Sequence, residues 1–234
     1  MSSISDNLQA VHKAIDEAAA TVSRDPHAIT LLAVSKTFGI DTVLDAARAG
    51  QRAFGENYVQ EAVDKIAAAK QNAPALDLEW HFIGPIQSNK TRLIAEHFDW
   101  VHSVDREKIA VRLSEQRPPH LPPLHLCLQV NISGENSKSG TAISDTVALA
   151  RFISALPNIR LRGLMAIPEP SDDIAQQRAA FSQVRALFQQ CRDNGIEMDT
   201  LSMGMSADLS AAIAEGATIV HIGSAIFGKR TYAE

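Results

Sequence analysis

Eight short apolar runs, each followed by a helix-compatible stretch, recur along this chain and leave it few ways to fold. The runs are Thr30–Ser35, Arg52–Gly55, Glu79–Ile83, Trp100–Ser103, Leu124–Val130, Leu161–Met165, Thr200–Met203 and Ile219–Ile222. Helical patterns between them include Ile40–Ala49, Asn57–Lys70, Asp105–Gln116 and Asp173–Asn194. Strands alternating with helices imply a parallel sheet, and eight such units in this length predict an α/β fold, a single (β/α)8 TIM-type barrel. An open doubly wound sheet is the structural alternative. Ahead of the first run, Ile4, Leu8, Val11, Ile15 and Val22 recur at helical spacing, so an extra amphipathic helix opens the chain and ends at Ser23–Pro26.

The 234 residues, 45% of them hydrophobic, suit one barrel-sized domain over 1–234. The stretch RPPHLPP at Arg117–Pro123 resembles an interdomain linker, but seven residues fit an ordinary connection that stops one helix and delivers the next strand. A net charge of −5, with Lys and Arg scattered, gives no electrostatic footprint for nucleic acid. Cys127 and Cys191 sit in apolar and helical surroundings, which predicts buried thiols in a reducing compartment rather than a disulfide or metal site. The first 22 residues carry Asp6, Asp16 and Glu17 and no unbroken apolar core, so neither a signal peptide nor a membrane span is expected, and a cytoplasmic protein is. With no long apolar surface stripe left after the helices are assigned, a monomer is expected.

In a parallel barrel, functional groups gather where the strands end. Those positions here hold Ser35 and Lys36, Glu56 and Asn57, His81, Asn131, Ser202–Ser206 and His221–Ser224. Lys36 follows the apolar LLAV, where burial lowers an amine's pKa as a Schiff-base nucleophile requires; the plainer reading is a strand-end lysine that reaches solvent or pairs with a carboxylate such as Glu56. Two Gly-containing turns, SMGMS at Ser202–Ser206 and IGSA at Ile222–Ala225, are each read as opening a helix. Free amides there, hydroxyls from Ser206 and Ser224, and the small Gly223 make a phosphate cup; the plainer reading makes both serines simple N-caps. A Schiff-base lysine across from such a cup points to a phosphorylated aldehyde, most commonly pyridoxal 5'-phosphate (PLP). A class I aldolase acting on a sugar phosphate has the same ingredients.

Several ordered stretches resemble the pyridoxal phosphate homeostasis protein family, single-domain relatives of the alanine racemase barrel. They are AVSKT around Lys36, FGENYVQE at Phe54–Glu61, WHFIGPIQSNK at Trp80–Lys90, NISGENSKSG at Asn131–Gly140, GLMAI at Gly163–Ile167, LSMGMSAD at Leu201–Asp208 and IGSAIFG at Ile222–Gly228. The resemblance implies that Lys36 carries PLP as a Schiff base, that Ser206, Gly223 and Ser224 hold its phosphate, and that Asn57, His81 and Met203 line its ring. It further implies a role in balancing intracellular PLP, without catalytic residues and with apo PLP-dependent enzymes as possible recipients. The family pattern usually places Arg before the final IGxAIFG; His221 stands there instead and is expected to be neutral and to donate an N–H to a largely unprotonated pyridine nitrogen.

The plainer alternatives are a His221 that faces solvent and a His81 that only fills the barrel top. Lys90 and Lys138 read as solvated surface lysines rather than parts of a transfer route, and Met165, Met203 and Met205 as apolar wall and core. Racemases that resemble this barrel take a second base, a tyrosine, from a partner subunit and add a β domain. The tyrosines here are Tyr58 and Tyr232 and the chain ends six residues past Gly228, which favours a carrier over a PLP enzyme acting on small amino acids.

Overall fold

A computed structural model describes residues 3–133 and 139–228. Among the described residues nine strands form one sheet: β1 (Thr30–Val34), β2 (Ala53–Glu56), β3 (Glu79–Phe82), β4 (Trp100–Val104), β5 (Leu124–Asn131), β6 (Thr141–Ala142), β7 (Ile159–Met165), β8 (Thr200–Ser202) and β9 (Ile219–Ile222). Neighbours run β4-β3-β2-β1-β9-β8-β7-β5, and β4 pairs with β5 to close the ring. Every pairing is parallel. The closure excludes the open doubly wound sheet and gives the expected TIM-type barrel. The two-residue β6 stands outside the ring, paired to the end of β5 through Val130 and Asn131. It has no apolar run to announce it, because its pairing is decided by the chain returning alongside β5.

The helices are α1 (Ile4–Thr21), α2 (Ile40–Arg48), α3 (Val59–Asn72), α4 (Thr91–His97), α5 (Glu107–Gln116), α6 (Thr146–Ser154), α7 (Ile174–Asp193), α8 (Leu209–Ala214) and α9 (Ser224–Phe227). The extra helix α1 starts at a capping box in which Ser3 and Asp6 satisfy each other's backbone amides. It buries Leu8, Val11, Ile15, Ala18 and Ala19, and Asn7 ties it to the Ile226 carbonyl at 2.8 Å. No helix among the described residues is long and apolar enough to cross a membrane.

The period-2 alternation of the strands separates two cores. Outward-facing residues such as Phe54, Phe82, Val101 and Leu126 pack under the helices in the large cluster. Inside the ring, Leu32, Ala53, Trp100, Cys127, Met165 and Ile219 form a smaller one. The same alternation turns His81, His102, Ser202 and His221 inward, so the barrel carries a polar strip through its middle. The Pro-rich segment after α5 is an ordinary connection: Arg117 beneath it donates to the carbonyls of Ala95, Phe98 and Pro122 at 2.7, 2.7 and 2.8 Å.

Candidate functional site

The C-terminal ends of β1, β2, β3, β7, β8 and β9 surround a cavity of about 440 Å³. Lys36, Asn57, Ser206, His221, Gly223 and Ser224 all line it, with Val34, Ile83, Met165 and Ile167 as apolar wall. Six of the eight residues expected to hold a ligand therefore share one space. The other two do not line it. His81 is fully buried inside the barrel, because its place on β3 turns it into the ring rather than up to the mouth. Met203 lies beneath the turn after β8, buried beside Gly204 and next to a smaller crevice that His221 also touches. Met165 is buried and Met205 is 39% exposed at the rim. Lys90 is half-buried in a turn before α4 and lines no part of the cavity, and Lys138 lies outside the described residues.

The segment that bears Lys36 is held from both sides. Ser35 Oγ donates to Glu56 Oε1 at 2.6 Å, and Lys65 Nζ, from α3, donates to the same oxygen at 2.6 Å and to the Ser35 carbonyl at 3.0 Å. Just past Lys36, Thr37 adopts a left-handed backbone (φ 69°), and its amide donates to Glu61 Oε1 at 2.7 Å; Glu61 also accepts from Lys65. A non-glycine residue with positive φ costs of order 1 kcal/mol or more unless its surroundings enforce it, and this Lys65–Glu56–Glu61 cluster does so. Burial raises the Glu56 carboxyl above its usual range, against the opposing pull of Lys65. No sequence pattern announces the cluster, since Lys65 reads as one more polar position on α3.

On the far wall, the turns after β8 and β9 supply donors. Among the described residues nothing accepts from the amides of Ser206, Ala207, Ser224 or Ala225. Neither serine is an N-cap: Asp208 stands at the N-cap position of α8, its carboxylate accepting from the upstream Met205 amide at 2.6 Å rather than from the helix, and Gly223 precedes α9, in which Ser224 is the first residue. The hydroxyls are thereby left for the cavity. Gly204 has φ 99°, and a Cβ there would meet the Ala212 Cβ at 2.5 Å, so the turn can run this close to α8 only with glycine. Asn57 Oδ1 is buried in the cavity wall with no hydrogen-bond partner among the described residues.

His221 closes the floor. Its Nε2 meets Ser202 Oγ at 2.7 Å, and behind Ser202 stand His102 and His81. Burial pushes His221 down to about 3, with His81 adding to the effect, and pushes His102 well below the ordinary histidine value, so both are neutral near pH 7. Both cysteines are buried with raised thiol pKa values, and no cluster of three or more metal-ligating side chains occurs among the described residues.

The model of the alanine racemase N-terminal domain matches residues 7–231. Curated pyridoxal phosphate homeostasis proteins of Pseudomonas aeruginosa and Vibrio cholerae are 60% and 56% identical, over 99% and 100% of this chain and 98% and 99% of theirs. The chain belongs to the pyridoxal phosphate homeostasis proteins of the alanine racemase N-terminal domain family. The Escherichia coli K12 member is 52% identical over the full length of both chains. Among solved structures, PipY of Synechococcus elongatus with PLP bound is 39% identical, with TM-score 0.80, covering 92% of this chain and all of that one. Alanine racemase of Corynebacterium glutamicum, at 15% identity and TM-score 0.68, shares the barrel as a fold alone, and this chain spans 61% of its length.

The residues of the cavity fit PLP. The amides of Ser206, Ala207 and Ser224 and the two serine hydroxyls, without partners among the described residues, suit a phosphate dianion, the orphaned Asn57 oxygen suits a donor on the ligand, and the aliphatic wall suits a flat pyridine ring.

Proposed function

We propose that this chain binds PLP at the mouth of the barrel, with Lys36 as the Schiff-base amine, and acts as a carrier in intracellular PLP homeostasis rather than as an enzyme. The observation that carries the reading is the placement of Lys36 and the two amide-bearing turns, at Ser206 and at Gly223–Ser224, on the walls of one cavity. When bound, PLP supplies an aldehyde that condenses with an amine. The protein's part is to hold its phosphate with backbone and hydroxyl donors, its ring against Val34, Ile83 and Met165, and the amine of Lys36 within the same space. The names of the relatives and the PLP-bound PipY support the ligand.

Carrier rather than enzyme is favoured by the groups available to move a proton. Lys36 and His221 are the basic side chains lining the cavity, and Tyr58 is 54% exposed at the start of α3 and absent from the lining. His221 is engaged through Nε2 by Ser202, and no tyrosine among the described residues stands across from Lys36 as a second base, Tyr232 lying outside them. We take the protein to be a single-domain cytoplasmic monomer whose bound PLP passes to apo PLP-dependent enzymes.

The test is spectroscopic. PLP added to the purified protein should produce the absorbance of a protonated imine, and Lys36→Ala should lose it; an unchanged band in that variant overturns the assignment. Amino acids offered to the loaded protein in deuterated water should exchange their α-protons only at the background rate, and fast exchange would make it an enzyme.

A further inference from the structure

A continuous line of hydrogen bonds crosses the inside of the barrel. His81 Nε2 meets Glu79 Oε1 at 2.8 Å, and His81 Nδ1 meets His102 Nε2 at 2.7 Å. His102 Nδ1 meets Ser202 Oγ at 2.7 Å, and Ser202 Oγ meets His221 Nε2 at 2.7 Å. One end, His221, lines the Lys36 cavity. The other, Glu79, is 47% exposed and lines a separate cavity at the N-terminal face of the barrel. The three intervening residues are fully buried.

Such a line has a sense. A carboxylate can only accept, so an ionised Glu79 takes the Nε2–H of His81. In the relay proposed below, His81 carries one ring proton, on Nε2, and offers Nδ1 as a lone pair, which takes the Nε2–H of His102; His102 Nδ1 takes the Ser202 hydroxyl proton; and Ser202 Oγ takes the Nε2–H of His221. The last ring is left with a bare Nδ1, and no described residue donates to it.

We propose that Glu79, His81, His102 and Ser202 are positioning residues forming a proton relay, which fixes His221 as an acceptor through Nδ1 and couples the ligand's ring nitrogen to Glu79 on the opposite face. This rests on the reading of the Lys36 cavity as the PLP site. The proton count balances. A proton leaving the pyridinium nitrogen for His221 Nδ1 is matched by one passed from His221 to Ser202, from Ser202 to His102, from His102 to His81 and from His81 to Glu79. All four hydrogen bonds reverse, one proton is lost at the cavity and one gained at the carboxylate, and no charge stays in the core.

The relay is biased toward a protonated ring nitrogen. Glu79 is held below the usual carboxylate range, first by its hydrogen bond from His81. The charged and titratable groups around this end are Asp99 ahead of β4, His125 on β5, Arg162 on β7, and His12, Arg52, Asp77 and Arg117 on the cavity wall. Around His221 they are His102 and, across the cavity, Lys36. The donor role expected of His221 from the sequence is thereby reversed: the ring nitrogen donates and His221 accepts. A carboxylate one barrel length away does what a carboxylate in direct contact would do.

The experiment has two arms. In the ligand-free protein, long-range proton–nitrogen spectra of labelled histidines at neutral pH should give Nε2–H for His81, His102 and His221 alike; a Nδ1–H on any of the three overturns the relay. In protein loaded with PLP labelled at the pyridine nitrogen, that nitrogen should resonate as N–H in the wild type and move toward the unprotonated position in Ser202→Ala and in Glu79→Gln. Ser202→Ala cuts the line and Glu79→Gln removes its anchor at a half-exposed site far from the ligand. An unmoved resonance in both folded variants overturns the proposal. If PLP fails to load at all, the binding reading has failed and the first arm decides the relay by itself.

Discussion

The backbone on either side of Lys36 is held by its neighbours. Thr37 is held in a left-handed conformation by Glu61, and Ser35 is gripped from two sides by Glu56 and Lys65, so the side chain between them has its backbone set before any ligand arrives. That kind of preorganisation lowers the entropic cost of binding. Gly204 is the equivalent fixed point on the opposite wall. Gly204→Ala introduces a methyl at 2.5 Å from Ala212 Cβ and a side chain at φ 99°, and either α8 moves or the turn does. The expected loss is about 1–3 kcal/mol of folding stability, read as a lower denaturant midpoint. Weaker PLP binding should accompany it, because the turn carries the Ser206 and Ala207 amides. An unchanged midpoint would mean the turn has room that the close contact denies it.

At the scale of elements, the strand ends were legible and the short helices were not. A strand announces itself through a run such as LLAV, and the polar residue that follows marks the barrel mouth, so Lys36, Asn57 and His221 could be found in order along the chain. The four-residue α9 has no period to detect, and Ser224 at its first position reads as a cap until Gly223 is seen to precede it. Lys65 was illegible for a different reason: it occupies a helical position that is buried only because α3 folds back over the end of β1. Its effect is open to test. Lys65→Met removes one partner of a buried pair and leaves Glu56 with only the Ser35 hydroxyl, at an expected cost of about 3–5 kcal/mol. The double variant Lys65→Met/Glu56→Gln should regain much of that loss, because no buried charge is then stranded: Glu61 is partly exposed and keeps the Thr37 amide. Chemical denaturation of the two variants decides the matter, and a double variant no better than the single one would assign the loss to packing.

Over the whole molecule, the barrel joins two faces that the sequence presents as unrelated. The residues of the internal line come from β3, β4, β8 and β9, so its existence depends on ring closure, which no local pattern encodes. His81 and His221 could be picked out as strand-end histidines, but His102 and Ser202, which connect them, look like ordinary alternating positions. Burying the neutral His102 and His221 in the line also gives the fold a pH dependence. The folded-state pKa values of His102 and His221 are depressed, the latter to about 3, whereas both would titrate near 6.5 in the unfolded chain. The unfolded state therefore binds more protons below pH 6.5, and stability is full above that value and falls as the pH drops toward 3, by up to about 1.4 kcal/mol per pH unit for each histidine. Glu56, Asp99 and Asp208, whose carboxyls are raised by burial, act with the opposite sign, so the total slope mixes the two. Comparison with His102→Gln separates them, since the glutamine keeps a donor and an acceptor inside the barrel but cannot titrate. Between pH 6.5 and 5 the wild type should lose stability more steeply than the variant, by an amount approaching one histidine's share. Parallel slopes would mean that His102 takes up its proton without leaving the fold, and that water reaches the centre of the barrel.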